Sequence, residues 1–98
     1  MRADYDSEGD TLAIELVDVV GRADYGDDET HPQAVVAILD QQPVIVDVIG
    51  ARDDVEEPLA AVAAAYDLDL EALLAAARAA LAAPDRTVVL DVLARATA

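Results

Sequence analysis

The twelve residues DYDSEGDTLAIE, Asp4 to Glu15, have the ligand spacing of a calcium loop. Asp4, Asp6, Glu8 and Glu15 fall at its positions one, three, five and twelve, and Gly9 falls where such a loop turns sharply. That chemistry surrounds a hard cation with carboxylate and carbonyl oxygens and closes on a bidentate Glu. It also requires a helix on each side. Only three residues precede Asp4, so no incoming helix is offered, and from Thr11 onward the pattern alternates with period two. The competing reading is a β-hairpin with an acidic turn, and this is the expectation. Asp6 and Asp10 then bracket the turn, their carboxylates accepting nearby backbone N–H groups, Gly9 supplies a positive φ, and Tyr5 packs over the sheet. Weak divalent-metal binding by the turn acids is the chemistry that would remain.

His31 is the single histidine and lies in DDETHP beside Asp27, Asp28 and Glu29. One imidazole with three acids has the composition of a metal site or a general base. No nucleophile accompanies it: Ser7 is the single serine and lies in the first turn, and cysteine is absent, which removes thiolate chemistry, disulfides and Cys-based zinc sites. A solvated loop histidine is the expectation. The remaining acids are spread along the chain, so no pair stands out as acid and base. No catalytic, cofactor-binding or metal-binding residue is assigned, and the chain reads as a non-enzyme.

The stretch from Leu59 to Leu81 loosely resembles a helix-turn-helix, with Val62, Ala63, Tyr66, Leu68 and Leu73 where that unit keeps apolar or small residues and Asp67 where its turn usually has Gly. A DNA-reading second helix carries Arg, Lys, Asn or Gln. This one offers Glu71, a run of Ala and one Arg, Arg78. The chain has 21 acids, six Arg and no Lys, for a net charge of −15. Such a field repels nucleic acid and anionic membranes and favours a basic partner or a cation. It also suits solubility, or a salt-adapted or high-GC source, because salt screens self-repulsion over a few ångströms. No targeting or spanning segment is recognised, since Asp, Glu, Arg or Pro interrupts the apolar runs; a soluble cytoplasmic protein is the expectation.

Positioning these residues calls for a single domain of 98 residues. Hydrophobic residues make up 55%, with three Tyr and neither Phe nor Trp, so the core must be aliphatic. In TLAIELV, Leu12, Ile14 and Leu16 share one strand face, and MRADY before it reads as a short edge strand. Gly21 to Gln33 reads as a loop, with a short strand around Arg22–Tyr25. QAVVAILD and PVIVDVIG form a hairpin joined by Asp40, Gln41, Gln42 and Pro43, with Val44, Val46 and Val48 on one face. Asp47 lies opposite them, between Ile45 and Ile49, at a sheet edge or on a partly covered face.

At Asp53 the period changes to that of a helix. Val55, Leu59, Val62 and Tyr66 form one stripe, with Asp53 or Asp54 as cap. After a break at Asp67–Asp69, a second helix carries Leu70, Leu73, Leu74, Ala77 and Leu81 until Pro84 stops it. Arg86 to Leu93 fits either strand or helix; a final strand is preferred, with a fraying tail from Ala94. The predicted fold class is α+β: a small antiparallel sheet over residues 1–51, covered by a helix pair within 52–98, with a final strand.

Tyr5, Asp6, Glu8, Asp10, Leu12, Ile14 and Leu16 spell Y-D-x-E-x-D-x-L-x-I-x-L. This resembles the opening signature of a small bacterial family catalogued as domain of unknown function 2283. The resemblance covers Met1 to Ala51, including the two strands of the later hairpin. Gly9 stands where Ala is common in that family, Ala13 replaces a usual aromatic, and the loop before Gln33 is long. The resemblance implies a small β-sheet and no established activity, so it carries no catalytic residue to this chain.

Two function classes follow from these readings. The first is a self-associating, non-enzymatic interaction module, most simply a homodimer, because a small Ala-rich core with edge strands gains from burying more surface. The second is a regulatory, antitoxin-like partner of a basic protein, motivated by charge. Weak metal or small-ligand binding at the acidic turn or the His31 loop is a third.

Overall fold

The computed structural model describes residues 1–17 and 25–91. Alternation in the N-terminal segment gives strands β1 (Arg2–Asp6) and β2 (Thr11–Glu15), an antiparallel hairpin in which Tyr5 pairs with Leu12 and Arg2 with Glu15. Ala3 and Tyr5 of β1 and Leu12 and Ile14 of β2 are buried on one face, followed by Leu16 just beyond. The positive φ in the turn belongs to Asp10 (51°) rather than to Gly9. Aspartate tolerates this left-handed region because its short side chain hydrogen-bonds locally.

The segment expected to be loop up to Gln33 contains a strand, β3 (Gly26–His31), paired with β4 (Ala34–Leu39). GDDETH lacks an apolar alternation because it is an edge strand: the partner supplies the ladder, and charged side chains on the outer strand discourage further pairing. The strand expected around Arg22–Tyr25 lies mostly outside the described residues, and Tyr25 itself is not in a strand. β4 and β5 (Gln42–Ile49) form the predicted hairpin, but its connection is two residues rather than four. Asp40 and Gln41 have φ of 51° and 67°, the paired positive values of a type I′ turn, whose twist matches that of the flanking strands.

The sheet order is β3-β4-β5-β2-β1-β6, with every neighbouring pair antiparallel. The last strand, β6 (Thr87–Val89), pairs with β1, so β1 is interior rather than the expected edge. The expected final strand is therefore present but shorter than Arg86–Leu93; Val92, Leu93 and the tail lie outside the described residues.

Helices α1 (Glu56–Tyr66) and α2 (Leu70–Ala82) pack on one face of the sheet, α1 over β3, β4 and β5 and α2 over β1, β2 and β6. Leu59 and Val62 of α1 and Leu73, Ala76, Ala77 and Ala80 of α2 are buried against Val36, Val46 and Val48 and the β1–β2 core. The alanines let α2 lie close to the sheet while keeping high helix propensity. Neither Asp53 nor Asp54 is the N-cap of α1. Val55 takes that position without a side-chain bond, and Asp54 accepts the Glu56 N–H at 2.9 Å from one residue further out. Between the helices Asp67 is left-handed (φ 54°), and Leu68 N–H reaches Ala63 O at 3.0 Å, a closure usually made with Gly.

Asp69 caps α2 with Oδ1, which accepts Glu71 N–H at 3.0 Å and Ala72 N–H at 3.3 Å. Asp69→Ala should lower stability by about 1 kcal/mol. For a domain this size the melting temperature should fall by about 4–8 °C, measurable by calorimetry; an unchanged melting temperature would show that water replaces the cap. No helix among the described residues is long and apolar enough to cross a membrane.

Candidate functional site

Asp6 and Asp10 of the first turn are engaged by separate donors within the fold. Asp6 Oδ1 accepts Glu8 N–H at 3.1 Å. Asp10 Oδ1 accepts both the Tyr5 hydroxyl at 2.6 Å and the Arg52 N–H at 2.9 Å, while Asp10 O accepts Gly50 N–H at 2.9 Å. The Arg52 guanidinium carbon stands 5.7 Å from the Tyr5 ring centre. One aspartate thus fastens β1, the hairpin turn and the connection from β5 to α1. The Tyr5 bond, and after it the Arg52 N–H, hold the Asp10 carboxyl below its ordinary value, and the same bond to Asp10, assisted by burial, raises Tyr5.

A second tie joins the turn to the connection between α2 and β6. Ser7 donates its N–H and hydroxyl to Asp85 at 3.0 and 2.7 Å, lowering the Asp85 carboxyl, and Asp85 N–H reaches Tyr5 O at 2.8 Å. Glu15, which would close a calcium loop, pairs with Arg2 at the far end of the hairpin, about 14 Å along the strand from Thr11. The opening segment is therefore a hairpin. No group of three or more metal-ligating residues is placed to hold an ion among the described residues. An open groove of about 320 Å³ beside this turn is lined by Asp4, Tyr5, Asp6, Asp85, Arg86 and Thr87, and the Ser7 bonds already engage its Asp85.

The His31 cluster is dispersed by the pleat of β3. Asp28 lies on the helix side, where it accepts a short hydrogen bond from the Tyr66 hydroxyl at the end of α1. Burial, and then this bond, push the Tyr66 phenol up to about 12. Asp27 and Glu29 project to the opposite face, opposite Ala37 and Val35. His31 Nδ1 accepts the Gln33 N–H at 3.1 Å, a turn-closing role. The helix pair resembling a DNA-binding unit buries much of α2 against the sheet, and its Arg78 lies 3.8 Å from Glu56 in an exposed ion pair.

The feature that individual residues did not reveal is the sheet face opposite the helices. Register places Val35, Asp47, Ala13 and Asp4 in one row across β4, β5, β2 and β1, with Glu29 of β3 at its end. The next row runs Asp27, Ala37, Ile45, Glu15, Arg2. The central strands thus carry an apolar strip of Val35, Ala37, Ile45 and Ile49. Acids flank the strip on each side, Asp27 and Glu29 on β3 and Glu15 and Asp4 on β2 and β1, where Arg2 lies beside Glu15. Ile49 is 53% exposed, and Val89 of β6 is 73% exposed. Neither α1 nor α2 covers this face. Asp47 stands inside the apolar strip. Burial foremost, then the charges of Asp4 and Asp27, raise its carboxyl above the ordinary value. Asp47 was visible in the sequence as an acid between two isoleucines, but the neighbours that surround it come from other strands.

Compared with protein-family models, curated proteins and solved structures, the chain matches none of them.

Proposed function

We propose that the protein is a non-enzymatic interaction module whose sheet face opposite α1 and α2 receives a basic protein. The observation that carries this reading is the arrangement of that face, an apolar strip flanked on both sides by carboxylates, four of them against the one cation Arg2 among the described residues. A face meant only for water is polar along its centre. An apolar centre with a polar rim has the anatomy of a binding surface. The sign of the rim selects the partner, because carboxylates and a net charge of −15 attract a cationic surface and speed its approach.

Self-association through the same face is the second reading, favoured by the exposure of Ile49 and Val89. Two copies placed face to face would oppose carboxylate to carboxylate, so this dimer needs high salt or protonation to form. β3 makes a poor edge for self-pairing for the same reason.

The test compares two variants of equal charge. Asp4→Asn/Glu29→Gln/Asp47→Asn removes three charges from the face; Asp53→Asn/Glu57→Gln/Glu71→Gln removes three elsewhere. Binding of a fluorescent Arg-rich peptide is followed by anisotropy at several salt concentrations, with light scattering alongside. The face variant should bind about tenfold more weakly than the control variant and show the shallower salt dependence. Equal losses would mean that only the overall field attracts the peptide and would overturn the reading. A dimer that dissociates as salt is lowered would favour the second.

A further inference from the structure

We infer that the occupant of this face is a basic amphipathic α-helix lying along β4 and β5. The inference rests on the reading above and adds the shape of the partner. The apolar strip runs along the strands: Ile45 and Ile49 lie on β5, Val35 and Ala37 on β4, and Ala13 borders them on β2. The acidic banks are separated by the strands between them. From β3 to β2 is three strand spacings, about 14 Å, and to β1 four, about 19 Å. A helix with its side chains is about 10–12 Å across. It fits between the banks, and Lys or Arg stems extending from both flanks of its apolar stripe reach the carboxylates on each side.

An extended strand laid on the same strip alternates its side chains toward and away from the sheet. It cannot place an apolar row downward and cationic rows to both sides at once. β5, eight residues long, spans about 27 Å, so a helix of about 18 residues covers it end to end. The helix is to this face what α1 and α2 are to the other, except that cations must flank its stripe.

Asp47 adds a specific feature. It stands in the floor of the strip between Ile45 and Ile49, and a wholly apolar stripe would seal its carboxylate without a partner. The stripe of the partner therefore carries one cation, Lys or Arg, near its middle, facing Asp47.

The experiment uses the full chain and three synthetic peptides of about 18 residues. One is amphipathic, with an apolar stripe flanked by Lys and one central Lys in the stripe. The second has the same composition scrambled to remove amphipathicity. The third replaces the central Lys with Leu. Affinity is read by anisotropy and helicity by circular dichroism. The first peptide should bind about tenfold more tightly than the scramble and gain helix on binding. Wild type should prefer central Lys to central Leu, and Asp47→Val should reverse that preference. If the first two peptides bind equally, but both more weakly to the face variant than to the control variant, the helical partner is wrong and the basic-partner reading stands. If neither peptide distinguishes those variants, both fail. A Lys-over-Leu preference unchanged by Asp47→Val overturns the placement along β5.

Discussion

Asp10→Ala is expected to lower the melting temperature by on the order of 10 °C, more than any single change to the acids around it. Three losses coincide. The Tyr5 hydroxyl, on a residue only 2% exposed, loses its acceptor, and a polar group left without a partner near the core is costly. The Arg52 N–H loses the same oxygen, loosening the entry to α1. Alanine must also adopt a φ of 51°, which it tolerates poorly. Asp10→Gly relieves the third loss alone, and Tyr5→Phe removes the same hydrogen bond without stranding a hydroxyl, so both should be milder. The pH dependence follows from the lowered carboxyl: the bonds to Asp10 stabilise the fold above the ordinary aspartate value of 3.8 and are lost as pH falls through its depressed folded value. In acid, wild type should therefore approach the variant. Thermal melts across pH check this; a variant as stable as wild type at neutral pH would show that the latch contributes nothing.

The same residues show what a sequence can and cannot convey. Leu12, Ile14 and Leu16, and Val44, Val46 and Val48, announce their strands because one face must be apolar and the pleat has period two. The helices were equally plain, since Leu73 and its neighbours recur at helical spacing. β3 was hidden because an edge strand owes its conformation to a partner, and GDDETH has no buried face to advertise. β6 was only half visible: Val88 and Leu90 alternate, but pairing Ala3 with Val88 joins opposite ends of the chain, which local pattern does not encode. The cap of α1 is not legible because two adjacent aspartates, Asp53 and Asp54, precede it, while the N-cap position itself falls to Val55, which has no side-chain acceptor. The candidate surface follows the same logic. Asp47 was conspicuous, but Val35, Ala37 and Ala13 gather around it only once strand order and register are fixed, and both depend on long-range pairing.

Asp47→Val should raise stability at neutral pH by about 1–2 kcal/mol, because a β-branched side chain then extends the strip of Val35, Ile45 and Ile49 in the middle of a central strand. The sign with pH is opposite to that of Asp10. The Asp47 carboxyl is raised in the folded state, so folding favours its neutral form. That contribution is fully present below the ordinary value of 3.8 and is lost as pH rises through the raised folded value, leaving an ionised Asp47 as a cost at neutrality. The advantage of valine should therefore be greatest at neutral pH and should shrink as pH falls through that window. Asn at the same position should gain less, since it removes the charge without adding apolar contact. Denaturant melts of the three proteins across pH give both the magnitude and the slope. A valine advantage that does not change with pH would show that the charge of Asp47 costs nothing, and that water rather than a partner satisfies it. A pH-dependent advantage means that this position gives up stability by keeping a charge in an apolar strip, as expected where the carboxylate serves an incoming cation rather than the fold.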